Sequence, residues 1–177
     1  MEKVVEDSSH RYHISIYEGI NTNTKMAEFL IFMVAGKFFG IPVSVAAHVV
    51  RMVEITRISS DTQAVAGIIN YHGSIIPVFS LRSRFILPEK PLDPADLLII
   101  TSGAGRMAAM IAEQVVGVKT IEDDLIESDA VLPGMTGIQG VVKTPDGMIL
   151  ITDPDRFLLP DEERALSVAL IQEEGKT

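Results

Sequence analysis

The feature that most narrows the folds open to this chain is a near-repeat across a proline-rich break. Pro88, Pro91 and Pro94 fall within Leu87-Pro88-Glu89-Lys90-Pro91-Leu92-Asp93-Pro94, and proline, lacking an N–H and fixed in φ, interrupts a helix or a central strand. Similar strings recur on the two sides of this linker. A shift of 66 residues brings Ile31-Phe32 within one position of Leu97-Leu98 and sets the Gly36 turn on the Ser102-Gly103 turn. It also lays Val49-Val50 on Val115-Val116 and Ile55 on Ile121. Further on, Gly67-Ile68 answers Gly137-Ile138, and Arg84-Phe85-Ile86-Leu87-Pro88 answers Arg156-Phe157-Leu158-Leu159-Pro160 at a shift of 72. Self-similarity of this kind implies two copies of one structural unit.

Within each copy the signal is short β-branched and aromatic runs punctuated by Gly, Pro and Asn, which marks antiparallel strands. Three hairpins are legible, turning at Gly36-Lys37, at His72-Gly73 and through Thr144-Pro145-Asp146-Gly147. About five short strands per copy are too few for a sandwich but enough to close a small barrel, which removes exposed sheet edges. The expected fold is therefore mainly β: two small five-stranded β-barrel lobes, at about 29–87 and 96–159, sharing an apolar core, with room for a strand exchanged across the linker. Residues 1–25, polar and ending in Asn21-Thr22-Asn23-Thr24-Lys25, are expected to form a flexible extension outside the 26–160 domain. Residues 161–177 are expected to form a C-terminal amphipathic helix and tail capped by Asp161.

Composition excludes several functions. With 24 acidic against 15 basic residues the net charge is −9, which repels a phosphate backbone and argues against nucleic-acid partners. Cysteine is absent, so disulfides, thiolate metal sites and cysteine nucleophiles are excluded. No apolar run approaches the ~20 residues a bilayer requires, and no signal-type apolar region opens the chain; a cytoplasmic protein without direct membrane insertion is expected.

The search for catalytic chemistry returns little. Gly103-Ala104-Gly105-Arg106-Met107-Ala108 has a G-x-G-x-x-A spacing, with Asp123 and Asp124 downstream where a ribose ligand would sit, so a nucleotide-dependent enzyme built on the Gly103–Gly105 loop is one alternative. The helix it needs would have to fit before Val115-Val116-Gly117-Val118, however, and the repeat explains the same glycines as a hairpin turn. His10 and His13 pair only in the polar extension, and the acidic group Glu122-Asp123-Asp124, Glu127 and Asp129 lacks a calcium-loop spacing. Asp153-Pro154-Asp155 suits a capped helical turn. No catalytic residue, cofactor or metal site is assigned.

The block from Gly67 onward, Gly-Ile-Ile-Asn-Tyr-His-Gly-Ser-Ile-Ile-Pro-Val-Phe-Ser-Leu-Arg, resembles the signature of the CheW family of chemotaxis coupling proteins, Gly-φ-φ-Asn-φ-Arg-Gly-x-φ-φ-Pro-φ-φ-Asp-Leu-Arg with φ apolar. Val49 to Ile55, Val115-Val116-Gly117-Val118 and the closing hairpin with Asp153 resemble it as well. The resemblance implies two five-stranded barrels and no catalysis: an adaptor bridging the regulatory domain of a CheA-type histidine kinase to the cytoplasmic tips of methyl-accepting chemoreceptors. The implied contact residues are Val49, Val50 and Glu54, the His72 turn with Arg82, and Val115 and Val116. Three positions depart from the pattern: His72 replaces arginine, Ser80 replaces aspartate, and Ala112-Glu113 stands where Val-Asp is usual. A neutral imidazole cannot copy a guanidinium fork, so a CheW-like protein that has lost one partner surface is a further alternative.

Overall fold

A computed structural model describes residues 24–59, 62–103, 105–128 and 135–176. The extension expected at 1–25, with His10 and His13, lies almost wholly outside the described residues, as does Asp129.

Among the described residues ten strands form in chain order: β1 (Met26–Val34), β2 (Lys37–Pro42), β3 (Ala46–Arg51), β4 (Val65–Tyr71), β5 (Ser74–Phe79), β6 (Leu97–Gly103), β7 (Arg106–Ala112), β8 (Gln114–Glu122), β9 (Ile138–Thr144) and β10 (Gly147–Thr152). A short helix α1 (Leu81–Arg84) follows β5, and the terminal helix α2 (Pro160–Glu174) follows a 3₁₀ turn at Pro154–Arg156. Mainly β architecture with a C-terminal helix is thus as expected. The strands divide into two five-stranded sheets, a first sheet ordered β8-β1-β2-β10-β9 and a second ordered β3-β6-β7-β5-β4.

The division at about 29–87 and 96–159 describes the repeat units but not the sheets. Each sheet takes the leading hairpin of one half (β1–β2 or β6–β7) and the last three strands of the other, so three strands are exchanged. Each sheet is joined between halves twice, antiparallel through β1 on β8 or β6 on β3 and parallel through β2 on β10 or β7 on β5, and the parallel pair requires a long crossover rather than a tight turn. The leading hairpin of one half therefore pairs with strands far away in sequence.

Register also revises the repeat. The turns correspond through Gly36 (φ +71°) and Gly105 (φ +92°), both left-handed, rather than through Gly36 and Gly103. Ala46 lies opposite Thr101 and Val49 opposite Ile99, while Val115 lies opposite Phe32 and Val118 opposite Leu30, with a bulge after the first pair in each case. Val49 thus corresponds to Val118, not to Val115 or Val116. In the last hairpin Gly67 pairs with Val78 and Gly140 with Ile151 across matching bulges, which makes Gly140, not Gly137, the counterpart of Gly67.

Neither sheet closes as a continuous barrel ladder; each is joined end to end by one bridge. The segment after β3 returns to β4, where Thr56 and Ile68 exchange N–H···O bonds of 2.9 and 2.8 Å. The segment after β8 returns to β9 in the same way, Glu127 with Val141, at 2.9 and 3.2 Å. A glycine precedes each receiving residue because the returning chain presses there. A Cβ on Gly67 would lie 2.4 Å from the carbonyl oxygen of Thr56, and one on Gly140 2.4 Å from a methyl of Ile126.

Burial on both faces explains why the central strands read as unbroken apolar runs. Along β1, Phe29 and Ile31 fill the first sheet's own interior with Ile121, Val142, Ile149 and Ile151, while the alternate residues Leu30, Phe32 and Val34 face a core shared by the two sheets. On β6, Leu98 and Ile100 enter the second sheet's interior and Ile99 enters the shared core. Stacked rings run through that shared core, with Phe32–Phe39 at 5.9 Å, Phe39–Phe85 at 5.7 Å and Phe79–Phe157 at 5.1 Å between centroids. Helix α2 seals one side with Leu166 and Ala169. Its start is held not by Asp161 but by Glu162, whose carboxylate accepts the Leu159 N–H at 2.7 Å with Pro160 at the first helical position, because a glutamate at the third position reaches back to the orphan donor.

Candidate partner-binding surfaces

The β4–β5 turn is shaped by Asn70, His72 and Gly73. His72 and Gly73 sit at φ +50° and +86°, the paired left-handed conformations of a hairpin turn whose twist matches its strands, and the Asn70 side-chain oxygen accepts the Gly73 N–H at 2.9 Å. The His72 side chain is exposed, as the hairpin reading expected, and its ring meets Tyr71 edge-on at 4.4 Å. Tyr71 in turn reaches across the join between β4 and β3: its hydroxyl lies 3.2 Å from His48 Nδ1. One end of this seam is closed by backbone and the other by two imidazoles flanking a phenol. Val49 (43% exposed) stands beside His48 on β3, and Glu54 is exposed just beyond the strand.

The expected contact residues thus separate into three places. Val49, Glu54 and His72 belong to the second-sheet seam. Val116, 46% exposed, lies on edge strand β8 of the first sheet. Val50, Val115 and Arg82 point inward: Val50 packs on the second sheet's interior and Val115 on the shared core. Arg82 bonds Glu113 through both Nε (3.1 Å) and Nη2, and donates from Nη1 to the Pro88 carbonyl. Glu113 also accepts the Ala35 N–H at 3.1 Å, so one carboxylate ties α1, the β1–β2 turn and the β7–β8 corner together. Burial alone would raise the Glu113 pKa, but the Arg82 and Ala35 hydrogen bonds and the charges of Arg82 and Lys90 outweigh it and hold the group below its ordinary value. Nearby, Lys90 bonds Asp96 at 2.8 Å, which raises the ammonium pKa against the opposing effect of desolvation.

His48, Tyr71 and Val118 were missed from sequence. Val118, 55% exposed, is the true counterpart of Val49 and would follow from aligning Gly36 with Gly105. Tyr71 and His48 lie 23 residues apart and give no local signal. The glycines of the Gly103–Gly105 loop form a hairpin turn: β7 begins at Arg106 and runs antiparallel to β6, which leaves no helix N-terminus there to receive a pyrophosphate.

A family model of the CheW-like domain matches residues 28–162. The chain belongs to the CheW family. The chemotaxis protein CheW of Bacillus subtilis (strain 168) is 28% identical over 151 residues, covering 84% of this chain and 94% of the relative. The chemotaxis protein CheW of Klebsiella aerogenes is 25% identical over 157 residues with the same coverage. Among solved structures, the scaffolding protein TtCheW from Thermoanaerobacter tengcongensis superposes with a TM-score of 0.66 at 27% identity, covering 78% of this chain and 91% of that one. Within the CheW fold the Ser80 departure keeps a structural role, because Ser80 Oγ accepts the Ser83 N–H at 3.3 Å and so caps α1. Asp153 does the same for its turn by accepting the Asp155 N–H at 3.0 Å. The His72 departure sits at an exposed turn. Among the described residues, no helix is long and apolar enough to cross a membrane.

Proposed function

We propose that this chain is a non-catalytic chemotaxis adaptor of the cytoplasm that couples chemoreceptors to a CheA-type histidine kinase, binding the kinase regulatory domain and the cytoplasmic receptor tip without substrate or cofactor. The observation that carries this reading is the second-sheet seam, where His48, Tyr71 and His72 lie in contact on a strand frame, with exposed Val49 on the same strand as His48. Exposed apolar and aromatic side chains on a rigid support are what protein recognition uses. Arg51 and Arg57 bring two guanidinium groups to the segment beside this seam, with Glu54 between them in sequence, on a protein whose net charge is −9. Family membership, and the likeness to a scaffolding protein of known structure, support the same reading.

Calorimetric titration of the full chain with a purified CheA-type regulatory domain and with a receptor-tip fragment tests it. Saturable binding to both is expected, His72→Arg tightening the seam contact and His72→Glu weakening it, with both differences shrinking in high salt. Absence of binding to either probe, or measurable heat with NAD, NADP or ATP, overturns the proposal.

A further inference from the structure

Neither half of the chain can complete a sheet by itself. The first half holds β1 to β5 and the second β6 to β10. Apart from the two closing bridges, pairing inside a half is confined to the hairpins β1–β2, β4–β5, β6–β7 and β9–β10. The pairs β1–β8, β2–β10, β3–β6 and β5–β7 all cross from one half to the other. The shared core crosses too, since Phe79 and Phe85 of the first half meet Phe157 of the second at 5.1 and 6.1 Å, and Arg84 holds Glu162 at 2.6 Å. A half alone would be two marginal hairpins and a single strand, β3 or β8. Each half therefore has to find the other, and these contacts do not distinguish a half on the same chain from the same half on a second copy.

What decides between the two is the segment from Ile86 to Ala95. In the closed chain it is bent back on itself. Lys90 Nζ bonds one Asp96 oxygen at 2.8 Å, the other accepts the Asp93 N–H at 3.1 Å, and the Asp93 carboxylate accepts the Ala95 N–H at 2.8 Å. At its entry Ile86 lies at φ +52° with its side chain 93% exposed. A β-branched residue is poorly suited to that left-handed position, and its exposed side chain gains little packing in return. Pro88, Pro91 and Pro94 favour the opposite, an extended run rising about 3.1 Å per residue, in which the Cα atoms of Lys90 and Asp96 stand roughly 19 Å apart and the ion pair is lost. Opening the segment gives up that bent turn and releases the backbone strain at Ile86, while every join between halves is made again with a second copy.

We infer that this chain exchanges halves with a second copy of itself: the half ending at Phe85 of each copy folds on the half beginning at Asp96 of the other, through an opened 86–95 segment, to give a closed two-fold dimer. All four joins have to be absent before a half can change partner, so the exchange takes place as chains fold. The dimer, once formed, is held by the contacts that hold the monomer. It carries two second-sheet seams on one particle and is thus a bivalent form of the adaptor proposed above, but the exchange stands on topology and not on that function.

The absence of cysteine allows a direct trap. Glu28 and Thr120, both exposed, face each other across β1–β8. The Asp123 N–H donates to the Lys25 carbonyl three positions away, which makes Glu28 and Thr120 a non-hydrogen-bonded pair, close enough at Cα for a disulfide. The full chain, unfolded and refolded at roughly 1 mM, where a second copy rivals a half held on a short linker, should give a dimer by light scattering, and at roughly 1 μM a monomer. With Glu28→Cys and Thr120→Cys together, oxidation should lock that dimer covalently on a non-reducing gel and give the monomer only an internal bridge. At an intermediate concentration Lys90→Ala, which removes a bond present only in the closed chain, should raise the dimer share at least twofold. Ile86→Gly, which removes strain present only there, should lower it at least twofold. Monomer alone at the higher concentration, a dimer that runs as monomer on the non-reducing gel, or a dimer share moved the opposite way by either linker variant overturns the inference, and none of these outcomes bears on the partner titrations.

Discussion

The second-sheet seam and the first-sheet seam share a backbone plan and differ in what they display. At one, Thr56 closes on Ile68 past Gly67, and His48, Tyr71 and His72 gather beside the join. At the other, Glu127 closes on Val141 past Gly140, and the neighbouring surface offers Val116 and Val118 with an exposed Lys143–Glu127 ion pair at 3.0 Å. The closure depends on two hydrogen bonds and a missing Cβ, which tolerate little change. The display depends on side chains that bear no load in the fold, and there the two copies have diverged from aromatic and imidazole to aliphatic and ionic. Frame and surface are therefore separable in this molecule.

The sharpest way to break the comparison is at the two glycines. Gly67→Ala meets backbone at 2.4 Å and has φ +154°, whereas Gly140→Ala meets only a side-chain methyl. Denaturant titration should show a loss of about 3 kcal/mol for the first and about 1 kcal/mol for the second; equal losses would mean that the two closures are equally rigid. Next, Glu113→Gln removes the carboxylate that fastens both sheets to the linker and leaves Arg82 half-buried without its counter-charge, at a cost of about 2 kcal/mol near neutral pH, below the fully buried range because both groups keep some solvent. The folded pKa of Glu113 lies below its ordinary 4.5, so this stabilisation is complete above that value and is lost as pH falls through the folded pKa. The gap between wild type and variant should accordingly narrow in titrations below pH 4.5.

Smaller effects sharpen the comparison between the halves. Ser80→Ala and Asp153→Ala each delete a cap and should each cost about 1 kcal/mol by thermal melting, which would mark serine and aspartate as equivalent in this role. Smallest is Lys143→Ala, expected to change stability by less than about 0.5 kcal/mol because the ion pair is exposed. A larger loss would mean that the first-sheet seam depends on its charges after all.

The parts of the fold that were legible are those set by neighbours in sequence. The mainly β class, the terminal helix, the Asp153 cap and the His72-Gly73 and Thr144–Gly147 turns follow from local patterns that the structure repeats, while the β1–β2 turn falls one residue earlier than expected, at Ala35-Gly36. The register of the repeat was not legible. Val49-Val50 matches Val115-Val116 by residue type, and a shift wrong by an odd number turns every side chain to the other face; only the left-handed glycines at 36 and 105 carry the correct alignment. The exchange was expected only as a single strand crossing the linker; that three strands of each half change sheets was not legible, since no local pattern states which distant strand becomes a neighbour. Arg82 was taken for a surface residue because its partner Glu113 lies 31 positions away, and Glu162, rather than the more obvious Asp161, turned out to hold the start of α2. Of the candidate surface, Val49, Glu54 and His72 lie together as a turn and an adjoining strand allow, while Tyr71 and His48 complete the group only through tertiary contact.

The exchanged strands give the proline linker a different meaning from that of a hinge. A nick between Leu87 and Asp96 would not release two independent lobes, since each fragment would still supply strands to both sheets. Separating them would require tearing the joins β1–β8, β2–β10, β3–β6 and β5–β7 and emptying the shared ring stack. The linker serves as a tether that keeps two interlocking pieces at high effective concentration, and fragments 24–89 and 90–176, mixed as separate chains, have in each other the template on which to reassemble.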